Sequence, residues 1–544
     1  MRYGLRLLRR SSGWTVVMGA TLSLGVGLTT AIFSLAYSIL LRALPYPVPD
    51  RLVEIWSTSS VAVAAGVSRF NAGSADWIDW RALSRSFEDI ALTKAITSFN
   101  LTGGGPPERV QGGRTSSNLL QVLGVKPLLG RMFTEEEARG DAKVAVLSYG
   151  FWERRFAREP KIVGRSVLLN DESFEVIGVM PPAFRYPTKD CDLWTPLFIP
   201  PDEIRSRFSF QYRAVGRLKP GVSLQQAQSE MSTIMRHLAQ QYPASNGAGQ
   251  LGVLLEPLLY STVGQFRSIL YILLIASACL LLIGCINLGG LLIVRTSART
   301  NEFAIRAALG ASAAQLRRQT LAEVIPLSVA GAAGGVLLSW CLLKIMVSWI
   351  PSQLPASELL GLHQPVLAFA LALSVLVVLF AGMLPARLSS RVQIAGTLQH
   401  NSRAVAGGGT IRSALVVAQI AVTLALVFAS GLLLRSLVAV MKVNPGFTAQ
   451  GLLTMHLAVT RSKYPTDSQV ADYYGRLVGR VKTIPGVLEA GVVNILPFSG
   501  LRESRLVQFE GKPDDARLGA DGRAVTPGYF AAMGIPLIRG RNFS

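Results

Sequence analysis

The dipeptide Gly511-Lys512 is as close as this sequence comes to a phosphate-binding loop. Such a loop needs an upstream glycine to bare its backbone N–H groups and a Ser or Thr to meet magnesium. "EGKPDD" has neither, so ATP hydrolysis by that route is excluded. The glycine-rich "LTGGGPPERV" lacks the strand-to-helix setting of a nucleotide site and reads as a turn. Cys279, Cys285 and Cys341 lie inside apolar runs and Cys191 stands alone, while His237, His363, His400 and His456 are scattered; no zinc spacing or disulfide framework follows. No nucleophile, base and orienting group assemble from spacing either. The sequence therefore predicts no enzyme active site, no metal and no cofactor.

What is left is a chemistry of contact. "RTSARTNEFAIRAALGASAAQLRRQTLAE", Arg295 to Glu323, is a basic stretch rich in small residues between two strongly apolar runs. Within it, Glu302 to Leu309 is rich in helix formers and sets Glu302 beside Arg306 at the i,i+4 spacing. Gly310 ends that helix, and Ser312 with Gln315 makes a capping box that starts another. The pattern predicts a helical elbow at a membrane surface: Phe303, Ala307 and Ala308 offer an apolar face, and Arg306, Arg317 and Arg318 meet headgroups or acidic protein. A plain basic loop would account for the charge but not for the order helix, glycine, cap, helix.

The elements that position such an elbow are membrane helices. Half of the 544 residues are hydrophobic, and several runs exceed the roughly 20 apolar residues that cross a bilayer. Spans are expected over Trp14 to Leu41, Ile269 to Val294, Val324 to Trp349, Val366 to Leu384 and Leu415 to Leu434. Arg2, Arg6, Arg9 and Arg10 precede the first span, and the elbow carries five arginines, so residues 1–13, an amphipathic N-terminus, and 295–323 are expected in the cytoplasm. Arg387, Arg391, Arg403 and Arg412 place the linker 385–414 there as well. The first run is too long, and lacks a nearby small-residue cleavage site, for a signal peptide; it reads as a retained anchor. The net charge of +21 sits beside the apolar runs instead of interleaving with aromatics on a soluble face, which makes the lipid bilayer and not nucleic acid the partner. In the first span Gly19, Ser23, Gly27 and Ala31 recur every fourth residue, as Ala421, Ala425 and Ala429 do in the fifth; both faces permit close helix packing, and they could pack on each other.

Two outward blocks follow, 42–267 and 435–544. In the first, "SVLLNDESFEVIGVM" predicts a hairpin turning at Asn170 and Asp171, and "VSLQQAQSEMSTIMRHLAQQY" a helix with a Ser223–Gln226 capping box and a core stripe of Leu224, Ala227, Met231, Ile234 and Leu238. "TEEEAR" reads as a solvated helix start, and "DWIDW" as a core helix with two half-buried tryptophans. The block is α+β. "TSSNLLQVLGVKPLLGRMFT" (Thr115 to Thr134) lies over "VTPGYFAAMGIPLIRGRNFS" (Val525 to Ser544) without a gap, matching Gly124 with Gly534, Gly130 with Gly540, Arg131 with Arg541 and Phe133 with Phe543. The unit of span and outward block therefore reads as duplicated, with the second copy partial; a fragment and a gene that ends early both fit.

These residues resemble a known family. "CINLGGLLIVRTSARTNEFAIRAALGASAAQLRRQTLAE" is similar to the second span and following segment of MacB- and FtsX-type ABC transporter permeases, and "AIFSLAYSILLRALPYPVPDRLVEI", "FNLTGGGPPERVQGGR" and "VLGVKPLLGRMFTEEE" to the first span and outward core of their duplicated, acidobacterial-type members. The resemblance implies an α-helical transmembrane protein with MacB-like periplasmic core domains, in the bacterial inner membrane, built as a duplicated four-span unit whose second copy is incomplete. It also implies a coupling elbow in which Glu302, Phe303, Ile305, Arg306, Leu309 and Gly310 dock on a separate cytoplasmic ATPase dimer, and first spans that meet at a central interface. The expected function is export or extraction of an amphiphilic substrate, with an adaptor or effector protein outside as a further partner. The alternative is an FtsX-like regulator that activates an outward protein such as a cell-wall hydrolase.

Overall fold

The computed structural model describes residues 12–41, 44–60, 63, 68–103, 105–188, 190–205, 207, 209–247, 250–298, 313–349, 361–389, 406–457, 459, 463–499, 504–507 and 518–543. They fall into two units: 1–42 with 263–443, and 43–262 with 444–544.

The membrane unit opens with α1, Ser12–Ala36, whose last turn widens into a π-helical turn over Tyr37–Leu41. The outward unit follows. Its strands and helices in chain order are β1 (Leu52–Ser59), β2 (Ala72–Gly73), α2 (Ser74–Leu83), β3 (Phe87–Thr102), β4 (Glu108–Thr115), α3 (Leu119–Leu123), β5 (Leu129–Gly130), α4 (Glu135–Arg139), β6 (Val144–Leu147) and α5 (Tyr149–Phe156). Then come β7 (Ser166–Leu169), β8 (Glu172–Val179), β9 (Leu193–Pro196), α6 (Pro201–Arg205), β10 (Phe210–Leu218), α7 (Leu224–Gln241) and β11 (Leu251–Pro257). The strands join one sheet in the order β11-β1-β10-β3-β4-β9-β6-β8-β5, with β2 on β10 and β7 bridging β3 and β8. Pairs β4–β9 and β6–β8 are parallel and the rest antiparallel.

Local chemistry accounts for several of these elements. Asn170 (φ 54°) and Asp171 (φ 64°) both take the left-handed conformation that a two-residue hairpin between β7 and β8 requires. The Ser223–Gln226 capping box closes the start of α7, which buries Ala227, Met231, Ile234, Met235 and Leu238 against the sheet. Thr134 and Glu137 make the same box on α4, where three glutamates favour the helix N-terminus. "DWIDW" is helical in α2, but its tryptophans divide: Trp80 is fully buried, its indole N–H on Met235 Sδ at 3.2 Å, while Trp77 stays half-buried and donates to the Ile90 carbonyl at 2.8 Å. Packing of α2 between the sheet and α7 leaves no solvent for Trp80.

The chain then returns to the membrane unit with α8 (Leu258–Ala298), α9 (Ala313–Trp349), α10 (Gln364–Ser389) and α11 (Ala406–Lys442). Four helices among the described residues are long and apolar enough to cross a membrane, over Val16–Leu40, Phe266–Leu291, Ser328–Met346 and Val416–Lys442. The expected span 366–384 lies within the 26 residues of α10. The residues after α11 hold α12 (Asp467–Lys482), β12 (Ser504–Val507), β13 (Leu518–Asp521) and α13 (Tyr529–Ala532). Thr466 and Gln469 form a capping box on α12, and β12 pairs antiparallel with β13.

Candidate functional site: the first span and its glycine seam

Among the membrane helices α1 is the hub. Half of its apolar window is buried, against 17%, 22% and 0% for the windows in α8, α9 and α11. Met18, Leu22 and Val26 of α1 share a cluster with Leu281 and Leu288 of α8 and Val377 of α10. Thr29 Oγ1 donates to the Ser277 carbonyl of α8 at 3.2 Å, Ser34 Oγ to the Gly361 carbonyl at 2.9 Å, and the Phe33 ring stacks on Phe369 of α10 at 3.8 Å. In a medium with no water to satisfy polar groups, such hydroxyl-to-carbonyl bonds fix which faces meet.

The closest approach is a seam between α1 and α9. A Cβ placed on Gly27 would stand 2.8 Å from the Gly335 carbonyl oxygen, and one on Gly335 would stand 3.0 Å from Val26 Cβ and 3.1 Å from the Gly27 nitrogen. Backbone meets backbone here, which only glycine allows. Ser23 Oγ donates to the Gly331 carbonyl at 3.2 Å one turn away. Contacts of Leu22 with Gly331 and of Gly27 with Gly335 advance together along both helices, so α1 and α9 run parallel.

The small-residue positions of the sequence separate on this background. Ser23 and Gly27 lie in the seam with α9, Ala31 is buried, and Gly19 has open space around its Cα. Ala421, Ala425 and Ala429 of α11 are exposed, so no pairing of the first with the fifth span forms among the described residues; the α1 face that suits it is occupied by α9. The α9 partners are Gly331, Gly334 and Gly335, of which Gly331 and Gly335 have the same four-residue spacing in the sequence. Glu302, Phe303, Ile305, Arg306, Leu309 and Gly310 lie outside the described residues, as does Ser312; α9 is described from Ala313.

Among the described residues three helices far exceed a crossing. At 1.5 Å per residue the 41 residues of α8 measure about 60 Å and the 37 each of α9 and α11 about 55 Å, against a hydrocarbon core of about 30 Å. Helix α8 has its first residue, Leu258, in the core of the outward domain with Leu52 and Val215, and its later residues Leu281 and Leu288 in the membrane cluster.

The outward domain carries a buried polar knot that spacing did not disclose. Asp76 in the first turn of α2 is 1% exposed; its Oδ1 accepts from Asn246 Nδ2 at 2.8 Å and from Arg207 at 3.1 Å. Arg207 also holds Asp79 at 2.6 Å, and its guanidinium carbon lies over the Tyr242 ring, 3.5 Å from its centroid. Burial raises the Asp76 pKa above the ordinary carboxylate value, partly opposed by the Asn246 hydrogen bond and the Arg207 charge.

An α+β domain between the first two helices of an apolar bundle is the architecture of a multi-pass membrane protein with a large domain outside the bilayer. The chain is similar to MacB/FtsX-type ABC transporter permeases: residues 15–234 match the MacB-like periplasmic core domain and residues 274–394 the FtsX-like permease C-terminal domain. Its similar proteins include the macrolide export ATP-binding/permease protein MacB of Chromobacterium violaceum, 25% identical over 278 residues, covering 51% of this chain and 41% of that protein. Another is the probable syringafactin export ATP-binding/permease protein SyfD of Pseudomonas syringae, 24% identical, covering 51% and 40%. The chain thus spans about two fifths of the length of these relatives. The solved periplasmic region of MacB from Actinobacillus actinomycetemcomitans is similar at 16% identity and a TM-score of 0.29, over 40% of this chain and 92% of that one. Both family matches are permease parts; neither is an ATPase domain.

Proposed function

We propose that this chain is the permease subunit of an ABC export system, in which a separate cytoplasmic ATPase dimer moves the helix bundle and the outward domains reshape to expel or extract an amphiphilic substrate. The observation that carries this reading is the single unbroken helix α8, rooted in the outward core and packed in the bundle, in a chain with both permease domains. The relatives' names, with macrolide and syringafactin export, support an amphiphilic cargo. Basic flanks support a cytoplasmic N-terminus and elbow, and outward placement of 43–262 and 444–544.

The reading includes a duplicated unit. In its support, Thr526 and Val492 exchange the bonds that Ser116 and Leu92 exchange: Thr526 N–H to the Val492 carbonyl at 3.0 Å and Val492 N–H to Thr526 Oγ1 at 2.8 Å. Helix α13 then closes like α3, with Ile535 N–H on the Phe530 carbonyl as Val125 N–H is on Leu120, and Gly534 and Gly124 both left-handed at φ 64° and 69°.

In this mechanism Phe303 supplies an apolar anchor and Arg306 a charge to the ATPase, with Glu302, Ile305, Leu309 and Gly310 shaping the elbow. The test is a pull-down of the full chain with its ATPase, scored beside membrane yield. Phe303→Ala and Arg306→Glu each lower ATPase retention by about ten-fold, the effect of losing one interface anchor, while Arg318→Glu lowers it less. Undiminished retention in both variants would reduce the elbow to a basic loop and remove the case for ATP-driven motion.

A further inference from the structure

The root of α8 carries a contact that the export reading does not by itself require. Strand β11 runs into α8 with no loop, Pro257 to Leu258, and β1 lies beside that junction with Val53 opposite Pro257 and Glu54 opposite Glu256. Glu54 is 1% exposed. Its Oε1 accepts from Arg213 Nε of β10 at 2.7 Å, its Oε2 from a second Arg213 nitrogen at 3.1 Å, and Oε2 also accepts from Ser261 Oγ in the first turn of α8. Leu258 and Ser261 are three residues apart, on one face of the helix, so an apolar anchor and a hydroxyl grip the sheet side by side.

A carboxylate is a costly residue for this position. A hydrophobic side chain would pack there without desolvating a charge, and the like-charged Glu256 directly across the ladder adds repulsion, relieved by its own partner Arg69. What the Arg213–Glu54 pair adds is direction: it presents one fixed acceptor to α8, and Ser261 reaches it at one rotation of the helix about its axis. Apolar packing at Leu258 alone would tolerate rotation; a hydrogen bond to a charged group does not.

We propose that Ser261, held by the Glu54–Arg213 pair, is the positioning residue that ties rotation of α8 to strands β1 and β10, translation being carried already by the continuous β11. The inference rests on the export reading and adds to it the point where motion enters the outward sheet. Turning α8 then shifts β1 and β10 as one piece with the helix root. Without the hydroxyl the root turns against the sheet while the helix still moves.

The test compares hydrogen exchange of the full chain, co-purified with its ATPase in nanodiscs, with and without ATP and vanadate. In the wild type, trapping changes exchange in α8 and in β1 and β10. In Ser261→Ala the α8 change persists, and the β1 and β10 change falls by about ten-fold, the size of one hydrogen bond to a charged group. Ser261→Thr, which keeps the hydroxyl, restores it. Thr262→Ala leaves it intact, because Thr262 Oγ1 bonds its own helix at the Leu258 carbonyl, 2.8 Å away. A purely structural bond would alter β1 protection equally in both nucleotide states. That outcome, or an undiminished β1 and β10 response in Ser261→Ala, overturns the proposal and leaves the export reading standing. A wild-type complex in which trapping changes neither α8 nor the sheet overturns both.

Discussion

Alanine at Gly27 and alanine at Gly19 are the same chemical change on the same helix, eight residues apart, and the structure separates their outcomes. At Gly19 a Cβ meets nothing within 4 Å, so the substitution only removes glycine's backbone freedom and gains up to about 1 kcal/mol of helix propensity. At Gly27 the Cβ would stand 2.8 Å from the Gly335 carbonyl and 3.0 Å from Leu338 Cδ2. The first of these is backbone and cannot turn aside. Helices α1 and α9 have to part by more than half an ångström for ordinary contact, on the order of 1 Å, and overpacking of this kind costs about 1–3 kcal/mol. The propensity gain offsets part of that, leaving a net loss of up to about 2 kcal/mol; because the gain is common to both variants, the gap from Gly19→Ala is the overpacking cost itself, about 1–3 kcal/mol. Gly335→Ala, with Val26 Cβ at 3.0 Å and the Gly27 nitrogen at 3.1 Å, belongs with the destabilised variant. Gly25→Ala meets only the end of the Leu281 side chain, at 3.2 Å, and falls between. The assay is unfolding of the purified full chain by SDS titration from mild detergent, followed by far-ultraviolet circular dichroism. Equal midpoints for Gly19→Ala and Gly27→Ala would refute the seam, and a Gly27→Ala protein as stable as the wild type would show that α9 is not held against α1 by backbone contact.

Residues 42–267 expressed without the spans should fold as a soluble domain with mixed helix and strand by circular dichroism, because three continuous cores and one sheet lie inside them; an unfolded or vesicle-bound product in flotation would count against this. In that domain Asp76, whose pKa burial raises, stabilises most fully below the ordinary carboxylate value of about 4 and loses that contribution as pH rises through its higher folded value. Acidification from neutral toward the ordinary carboxylate value should therefore raise the melting temperature through this group, and Asp76→Asn should flatten that dependence; parallel profiles for the two proteins would remove Asp76 from the account.

The sequence determined by itself those features whose physics is local. Apolar runs of bilayer length, the Asn170-Asp171 turn, the capping boxes at Thr134 and Ser223 and the helical stripe of α7 each depend on neighbours within a few residues, and all are present as helices, turn and caps in the structure. Tertiary structure decided which surfaces meet. Every fourth residue small describes a face in α1 and another in α11 equally well, and spacing cannot say that α9 reaches the first through Gly335 while the second stays exposed. Trp77 and Trp80 look alike in "DWIDW" and differ only because α7 brings Met235 over one of them. Glu54, Arg213 and Ser261 carry no mark in the sequence. They are separated by more than two hundred residues from first to last, and become one contact because the sheet order sets β1 between β10 and β11, at the strand that continues into α8.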